Sequence, residues 1–275
     1  MLLCSSCCEP LEKVESHRAF NRHILAGYRP ATGVLGCLKS LLYFHNETIN
    51  VYTHGLYMLF LLVALPHIIT WPSDPSLWWL VFLSLAGHVS CMFGSVVYHL
   101  FNSLLQSASD YWTLLQFDVA GIWLANSMNT CIYVYLSFYC DDTLRRVGSS
   151  LLLFISLVTF LPTMRARTPA KRAVVFALFL LVRIFTTTSR QLFSTAIGST
   201  NNAWFHYTMT DVFLFIGAVI NAARYPEKKW PGCFDLVCSS HQLFHVIVII
   251  ALIHNMTATS LDVRSASEAV CPVQM

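Results

Sequence analysis

Five side chains in this sequence have the types and spacing to do chemistry together: Ser95 and His99, Asp118, and His241 with His245. His241-Gln-Leu-Phe-His245 places two imidazoles on one helix face, about one turn apart. Alone the spacing is a weak signal, because 11 histidines in 275 residues supply about 0.4 such pairs by chance. Three neutral imidazoles with a fourth position open to water are the ligand set of a catalytic zinc centre. Zinc in such a centre lowers the pKa of water toward ~7 and polarises a carbonyl. Asp118 could orient that water or act as general base. Ser95, four residues before His99, shares its helix face and could hydrogen-bond behind the ligands. A second reading stays open, in which these histidines and the aspartate join helices to one another without a metal.

The elements that would position these groups are membrane helices. The chain is 56% apolar and 11% charged, against roughly 25% charged in an ordinary soluble domain. That scarcity excludes a disordered chain, a coiled coil and a soluble enzyme that must wet its surface. Seven apolar stretches are long enough, or nearly so, to cross ~30 Å of hydrocarbon. They lie near Val51–Thr70, Leu77–Phe101, Tyr111–Leu136, Val147–Met164, Ala173–Thr188, Trp204–Ala223 and Cys238–Ala258. The expected fold is therefore an all-α membrane protein of seven helices. Residues 1–50 form an amino-terminal segment, residues 51–258 the membrane domain and residues 259–275 a short tail. No cleavable signal peptide is expected, since the start is Cys-rich without a basic stretch.

The basic residues orient the bundle. Seven spans place Lys13, Arg18, Arg22, Arg29 and Lys39 on the same face as Arg165, Arg167, Lys171, Arg172, Arg224, Lys228 and Lys229. The other face holds Arg145, Arg146, Arg190 and Arg264, and Arg183 lies within the fifth span. This bias predicts a cytoplasmic amino terminus and an extracellular or lumenal carboxyl terminus. The net charge of +3 thus concerns topology and the lipid bilayer, not nucleic acid. Under this topology His99, Asp118, His241 and His245 fall in the cytoplasmic leaflet at similar depth.

Other polar groups have more ordinary readings. Arg183 and Asp211 read as an interhelical ion pair. His67, His88, His206 and His254 read as single structural histidines. The cluster Phe44-His45-Asn46-Glu47-Thr48-Ile49-Asn50 and Tyr52-Thr53-His54-Gly55 reads mainly as a cap for the first span, with a contact near the metal mouth as the alternative. Cys140 and Cys271 share the outer face and could pair. Cys4, Cys7 and Cys8 read as unmodified thiols, with lipidation or metal binding as alternatives. Asn255-Met-Thr257 is a glycosylation sequon on the outer face but pressed against the last span, and Asn46-Glu-Thr48 lies on the other side.

Tyr28-Arg29-Pro30, His45-Asn46-Glu47 and Thr53-His54-Gly55 resemble the amino-terminal signature of the progestin and adipoQ receptor family. Ser95-Val-Val-Tyr-His99, Asp118 and Ser240-His241-Gln-Leu-Phe-His245 resemble that family's three membrane motifs, in the same order. The resemblance implies seven helices, an inward amino terminus and zinc held by His99, His241 and His245. It also implies that Asp118 stands near the zinc-bound water. The family resembles the alkaline ceramidases, and one branch is associated with hydrolysing ceramide to sphingosine and fatty acid. That implies a ceramide or fatty acid held within the bundle and a role in sphingolipid metabolism. A branch is associated with the Golgi, with the plasma membrane as the alternative. The family's other role, as hormone receptors, implies a receptor or scaffold with structural zinc and cytoplasmic protein partners. The stretch before Phe20 is much shorter than in adiponectin receptors, which speaks against hormone-receptor signalling, and loop 5–6 and the tail after His254 are short, leaving little outer surface for a protein hormone.

Overall fold

A computed structural model describes residues 8–69, 71–104, 107–192 and 202–271. Within them the regular structure is helical, with one isolated bridge between Glu9 and Tyr28. The helices are α1 (Val34–Lys39), α2 (Thr48–Val63), α3 (Leu65–Ile68), α4 (Trp78–Phe101), α5 (Ala108–Ser137), α6 (Asp142–Arg165), α7 (Pro169–Leu192), α8 (Ala203–Ala223) and α9 (Ser240–Ser267). Among the described residues, six helical stretches are long and apolar enough to cross a membrane: Thr48–His67, Pro75–Phe101, Asp142–Arg165, Ala170–Leu192, Ala203–Ala223 and Ser240–Ser267. The seventh expected span, Tyr111–Leu136, lies within α5. Its 30 residues have ample length, but Asp110, Gln116, Asp118, Asn126 and Asn129 leave it less apolar than the others.

Helix ends follow capping and pairing rather than hydropathy. The fourth and fifth apolar stretches looked short, yet α6 and α7 have 24 residues each. The Asp141 carboxylate accepts the backbone N–H groups of Thr143 and Leu144, so α6 starts at this cap and takes in a polar turn. The expected boundary at residue 258 falls inside α9, which continues to Ser267. Arg190, expected in an outer loop, lies in α7 and is 1% exposed.

The chain divides into two compact units. The first comprises residues 1–58, 92–119 and 214–249. In it the described part of the amino-terminal segment is held by side-chain hydrogen bonds. Arg29 donates to the carbonyls of His99 (2.6 Å) and Leu100 (2.8 Å) and to Asn102 Oδ1 (2.8 Å). It thereby satisfies carbonyls that the end of α4 leaves without intrahelical partners. Asn21 donates to Glu227, whose carboxylate also accepts from the Ser240 N–H and hydroxyl at the start of α9. The Leu25 N–H donates to Asp235. Gly27 has φ +85°, a conformation strained for any other residue, and a Cβ there would also have to displace Leu236 Cδ2, 2.6 Å away. Cys4 and Cys7 lie outside the described residues. Cys8 donates to the Phe44 carbonyl, and burial pushes its thiol pKa up.

The second unit comprises residues 59–91, 120–213 and 250–275. Leu77, Leu80, Val81, Ile132, Leu136, Val263 and Ala266 form one of its apolar clusters. Two of its ion pairs join helices. Arg183 pairs with Asp211 (2.7 Å), as the sequence reading expected, and also donates to Asn126 and Thr130. Arg190 pairs with Asp262, both side chains fully buried, a pair the sequence reading missed. Cys140 and Cys271 form a disulfide. His206 and His254 are not single, because their Nδ1 atoms lie 2.9 Å apart. Asn255 is 5% exposed inside α9, so its sequon is shielded from modification in the folded chain.

Candidate metal centre

The first unit brings His99, His241 and His245 together. One ligating nitrogen from each lies within 4.8 Å of the others. The ring centroids are separated by 5.1 Å (His99–His241), 4.8 Å (His99–His245) and 4.8 Å (His241–His245). His99 and His245 are buried, and His241 is partly so. Local helix geometry explains the convergence. His99 occupies the last turn of α4, while His241 and His245 open α9 on one face.

Hydrogen bonds set the direction of each imidazole. The Glu47 carboxylate Oε2 lies 2.7 Å from His99 Nδ1, so Nδ1–H donates and Nε2 keeps its lone pair. Asn221 Oδ1 lies 3.2 Å from His241 Nδ1 and has the same effect on that ring. The two Nε2 atoms then face one another at 3.3 Å. Two inward lone pairs repel unless something positive stands between them. Tetrahedral zinc with Zn–N bonds of 2.0–2.1 Å spaces its ligand nitrogens about 3.3–3.4 Å apart. His245 is buried beside both of these rings. The donor set therefore fits zinc.

The surroundings fix the ligands further. Glu47 is 5% exposed, and its oxygens also accept from Asn50 Nδ2 (2.7 Å) and Asn102 Nδ2 (3.1 Å). Burial raises its pKa, but His99, the Asn50 amide and Arg29 outweigh it and hold the carboxyl below the usual range. Arg29 therefore anchors both the α4 terminus and Asn102, which in turn holds Glu47. The His45 Nδ1 accepts the Glu47 N–H at 3.1 Å. Burial foremost, then the nearby Arg29 charge, lowers its pKa to about 3, so it is a neutral acceptor at physiological pH. Thr48 Oγ1 accepts the His45 N–H at 2.9 Å.

Ser95 and Asp118 occupy different positions. Ser95 Oγ lies 2.8 Å from His54 Nδ1, and the His54 ring stacks on His245 with centroids 3.9 Å apart. Asp118 stands outside the three-histidine group and is half-buried. It lies where α5 closes on α4. A Cβ at Gly94 would sit 2.5 Å from the Phe117 carbonyl oxygen and 3.1 Å from Asp118 Cα. Gly94 thus lets Asp118 come close to the turn of α4 that carries Ser95.

The cap reading of residues 44–55 holds for His45 and Thr48 and fails for Glu47 and His54, which contact the ligands themselves. Asn221 and Arg29 were also missed as contributors. A signal was available for Glu47, because a carboxylate beside a span needs a partner on another element.

The chain is similar to known proteins over most of its length. The profile of a family described as haemolysin-III related matches residues 42–256. Progestin and adipoQ receptor family member 4 of Homo sapiens is 31% identical over 258 residues, covering 93% of each chain. The mouse protein of the same name is 31% identical over 261 residues, again covering 93% of each. Heptahelical transmembrane protein 1 of Arabidopsis thaliana is 27% identical over 256 residues, covering 88% of this chain and 76% of that one.

Proposed function

The chain belongs to the haemolysin-III-related family of progestin and adipoQ receptors and is an integral multi-pass membrane protein, and from that premise we propose that it is a zinc-dependent intramembrane amidase. Its substrate in this reading is ceramide, cleaved to sphingosine and fatty acid, so that the protein lowers ceramide levels. The reading includes α5 as a seventh span and a cytoplasmic amino terminus. The name of the heptahelical relative supports the first, and the distribution of basic residues supports the second. Following the family resemblance, it also includes the Golgi membrane as its place.

One observation carries the proposal: the 3.3 Å approach of His99 Nε2 and His241 Nε2, each ring oriented by an oxygen acceptor on the far nitrogen. Bound there, zinc would supply Lewis acidity toward an amide carbonyl and acidify water. The chain's own residues do the rest. Glu47 and Asn221 keep the ligand nitrogens deprotonated and aimed. Asp118 accepts a proton from the attacking water and returns it to the leaving amine. The Ser95 hydroxyl, fixed by His54, donates a hydrogen bond to the oxygen that gains charge. The acyl chain lies among the apolar helix faces.

The test uses purified full-length protein. About one zinc per chain is expected, lost in the His99→Ala, His241→Ala, His245→Ala triple variant. Fatty acid release from ceramide in mixed micelles is expected from the wild type and lost in Asp118→Asn. Full zinc retention by the triple variant would overturn the metal centre. Zinc without turnover would overturn the amidase and favour a second reading, a receptor or scaffold with structural zinc. The word receptor in the names of the human and mouse relatives favours that reading.

A further inference from the structure

Residues 20–25 and 224–239 of the first unit form a surface that the proposed chemistry does not use. Asn21 donates to Glu227, the Leu25 N–H to Asp235, Arg224 to the Phe20 carbonyl and the Gly232 N–H to the His23 carbonyl. These contacts hold the two segments side by side. Together they carry six charged residues, Arg22, Arg224, Glu227, Lys228, Lys229 and Asp235, and the fold sorts them by sign. Glu227 and Asp235 are buried, and both carboxylates accept hydrogen bonds. Arg22, Lys228 and Lys229 are exposed and Arg224 partly so. None of these four has an ion pair among the described residues. The surface therefore presents cations and keeps its anions inside.

Between its charges the same surface is apolar. Phe20, Leu25, Tyr225, Trp230 and Val237 are all exposed. Lys229 Nζ stands 4.6 Å from the centre of the Trp230 ring, close enough for the cation and the ring face to attract. Successive turns fix the loop. The N–H groups of Lys228, Lys229 and Cys233 donate to the carbonyls of Arg224, Pro226 and Trp230. An ordered backbone of this kind loses less freedom on binding. The combination of groups identifies the partner. Water alone suits the cations but not a cluster of exposed apolar side chains, and hydrocarbon alone suits the reverse. The headgroup boundary of an anionic leaflet suits both, since aromatic rings settle there and Lys and Arg are drawn to acidic lipid. Chain connectivity puts the surface at that boundary. Residue 224 follows directly on the candidate span Ala203–Ala223, and residue 240 opens the next, Ser240–Ser267.

We propose that residues 20–25 and 224–239 form a binding surface for anionic phospholipid, with Lys228 and Lys229 on the headgroup and Trp230 seated beside it at the acyl boundary. Arg22 and Arg224 add to the attracting field. The proposal depends neither on the metal centre nor on ceramide hydrolysis.

Full-length protein in phosphatidylcholine nanodiscs tests it, doped with brominated phosphatidylserine or, in parallel, brominated phosphatidylcholine. Bromine quenches tryptophan on contact, and the Trp230 signal is the difference between wild type and Trp230→Phe. Titrating the brominated fraction gives a relative affinity, expected to favour phosphatidylserine by about fivefold, as one Lys beside an acidic headgroup supplies. Lys228→Gln, Lys229→Gln should bring that ratio close to one, and Lys228→Glu, Lys229→Glu should invert it. Both lysines are exposed, so these variants should keep the wild-type unfolding temperature. Equal quenching of the wild type by the two lipids would overturn the proposal. A preference that survives in the double Gln variant would place the headgroup elsewhere and also overturn it. Quenching by neither lipid would show Trp230 clear of the leaflet, and would give the surface to a soluble acidic protein instead.

Discussion

Glu47 in the first unit and Asp262 in the second are both buried carboxylates, and they are compensated in opposite ways. Asp262 faces the Arg190 guanidinium, with both side chains fully buried. Glu47 faces a histidine, with two amides filling its remaining acceptor positions. The first arrangement is closed, since a full positive charge meets a full negative one in bidentate geometry. The second is open. A carboxylate behind an imidazole makes the far nitrogen a better electron donor and calls for a cation in front of it. Buried charge is thus structural where it pairs with its opposite and chemical where it is relayed through a neutral ring.

The closed pair should show the larger stability effect when broken. Arg190→Leu alone leaves Asp262 as an uncompensated buried charge and should cost about 3–5 kcal/mol. The double variant Arg190→Leu, Asp262→Leu removes both charges and should recover most of that loss. Thermal unfolding in one detergent, read by near-UV circular dichroism, gives the comparison. A double variant no more stable than the single one would show that the pair has other obligations in the fold.

The open arrangement should show its effect on metal rather than on fold. Glu47→Gln keeps the side-chain shape and an acceptor oxygen but removes the charge behind His99. Metal affinity, measured by competition with a chelator, should fall about 10–100-fold. The unfolding temperature should change less than in Arg190→Leu. Loss of fold with unchanged affinity in the surviving protein would make Glu47 a closed structural group like Asp262 and erase the contrast.

The two regions also differed in how legible they were in the sequence. The three ligands could be found because His241 and His245 lie one turn apart and helix topology brings His99 to the same leaflet. The Arg183–Asp211 pair was legible because both residues interrupt long apolar runs. Arg190 and Asp262 were not, since each lies beyond the apolar stretch of its helix and reads as loop or tail. Paired, both are fully buried, and hydropathy registers no such reward. Glu47 was hidden differently. Its neighbours His45 and Thr48 do cap a helix, and local reading gave the whole cluster that role. The 52-residue separation between Glu47 and His99 leaves no periodic trace.

The smallest expected effect concerns the segment that holds Glu47, and it has a defined sign. His45 is 1% exposed and accepts the Glu47 N–H through Nδ1. Burial and Arg29 depress its folded pKa to about 3, whereas an unfolded histidine titrates near 6.5. Below pH ~6.5 the unfolded chain takes up a proton that the folded chain refuses, so stability must fall with pH. The contribution of His45 is fully present above ~6.5 and is lost as pH falls toward 3. The slope is at most about 1.4 kcal/mol per pH unit. His45→Asn keeps a hydrogen-bond acceptor and removes the titration. Between pH 6.5 and 5.5 the wild type should therefore lose about 1 kcal/mol more stability than His45→Asn. Equal losses would mean that His45 takes a proton in the folded state and donates where it is described as accepting. The hydrogen bond that sets the Glu47 backbone would then be broken, and the open carboxylate would lose a support that the closed Arg190–Asp262 pair never needed.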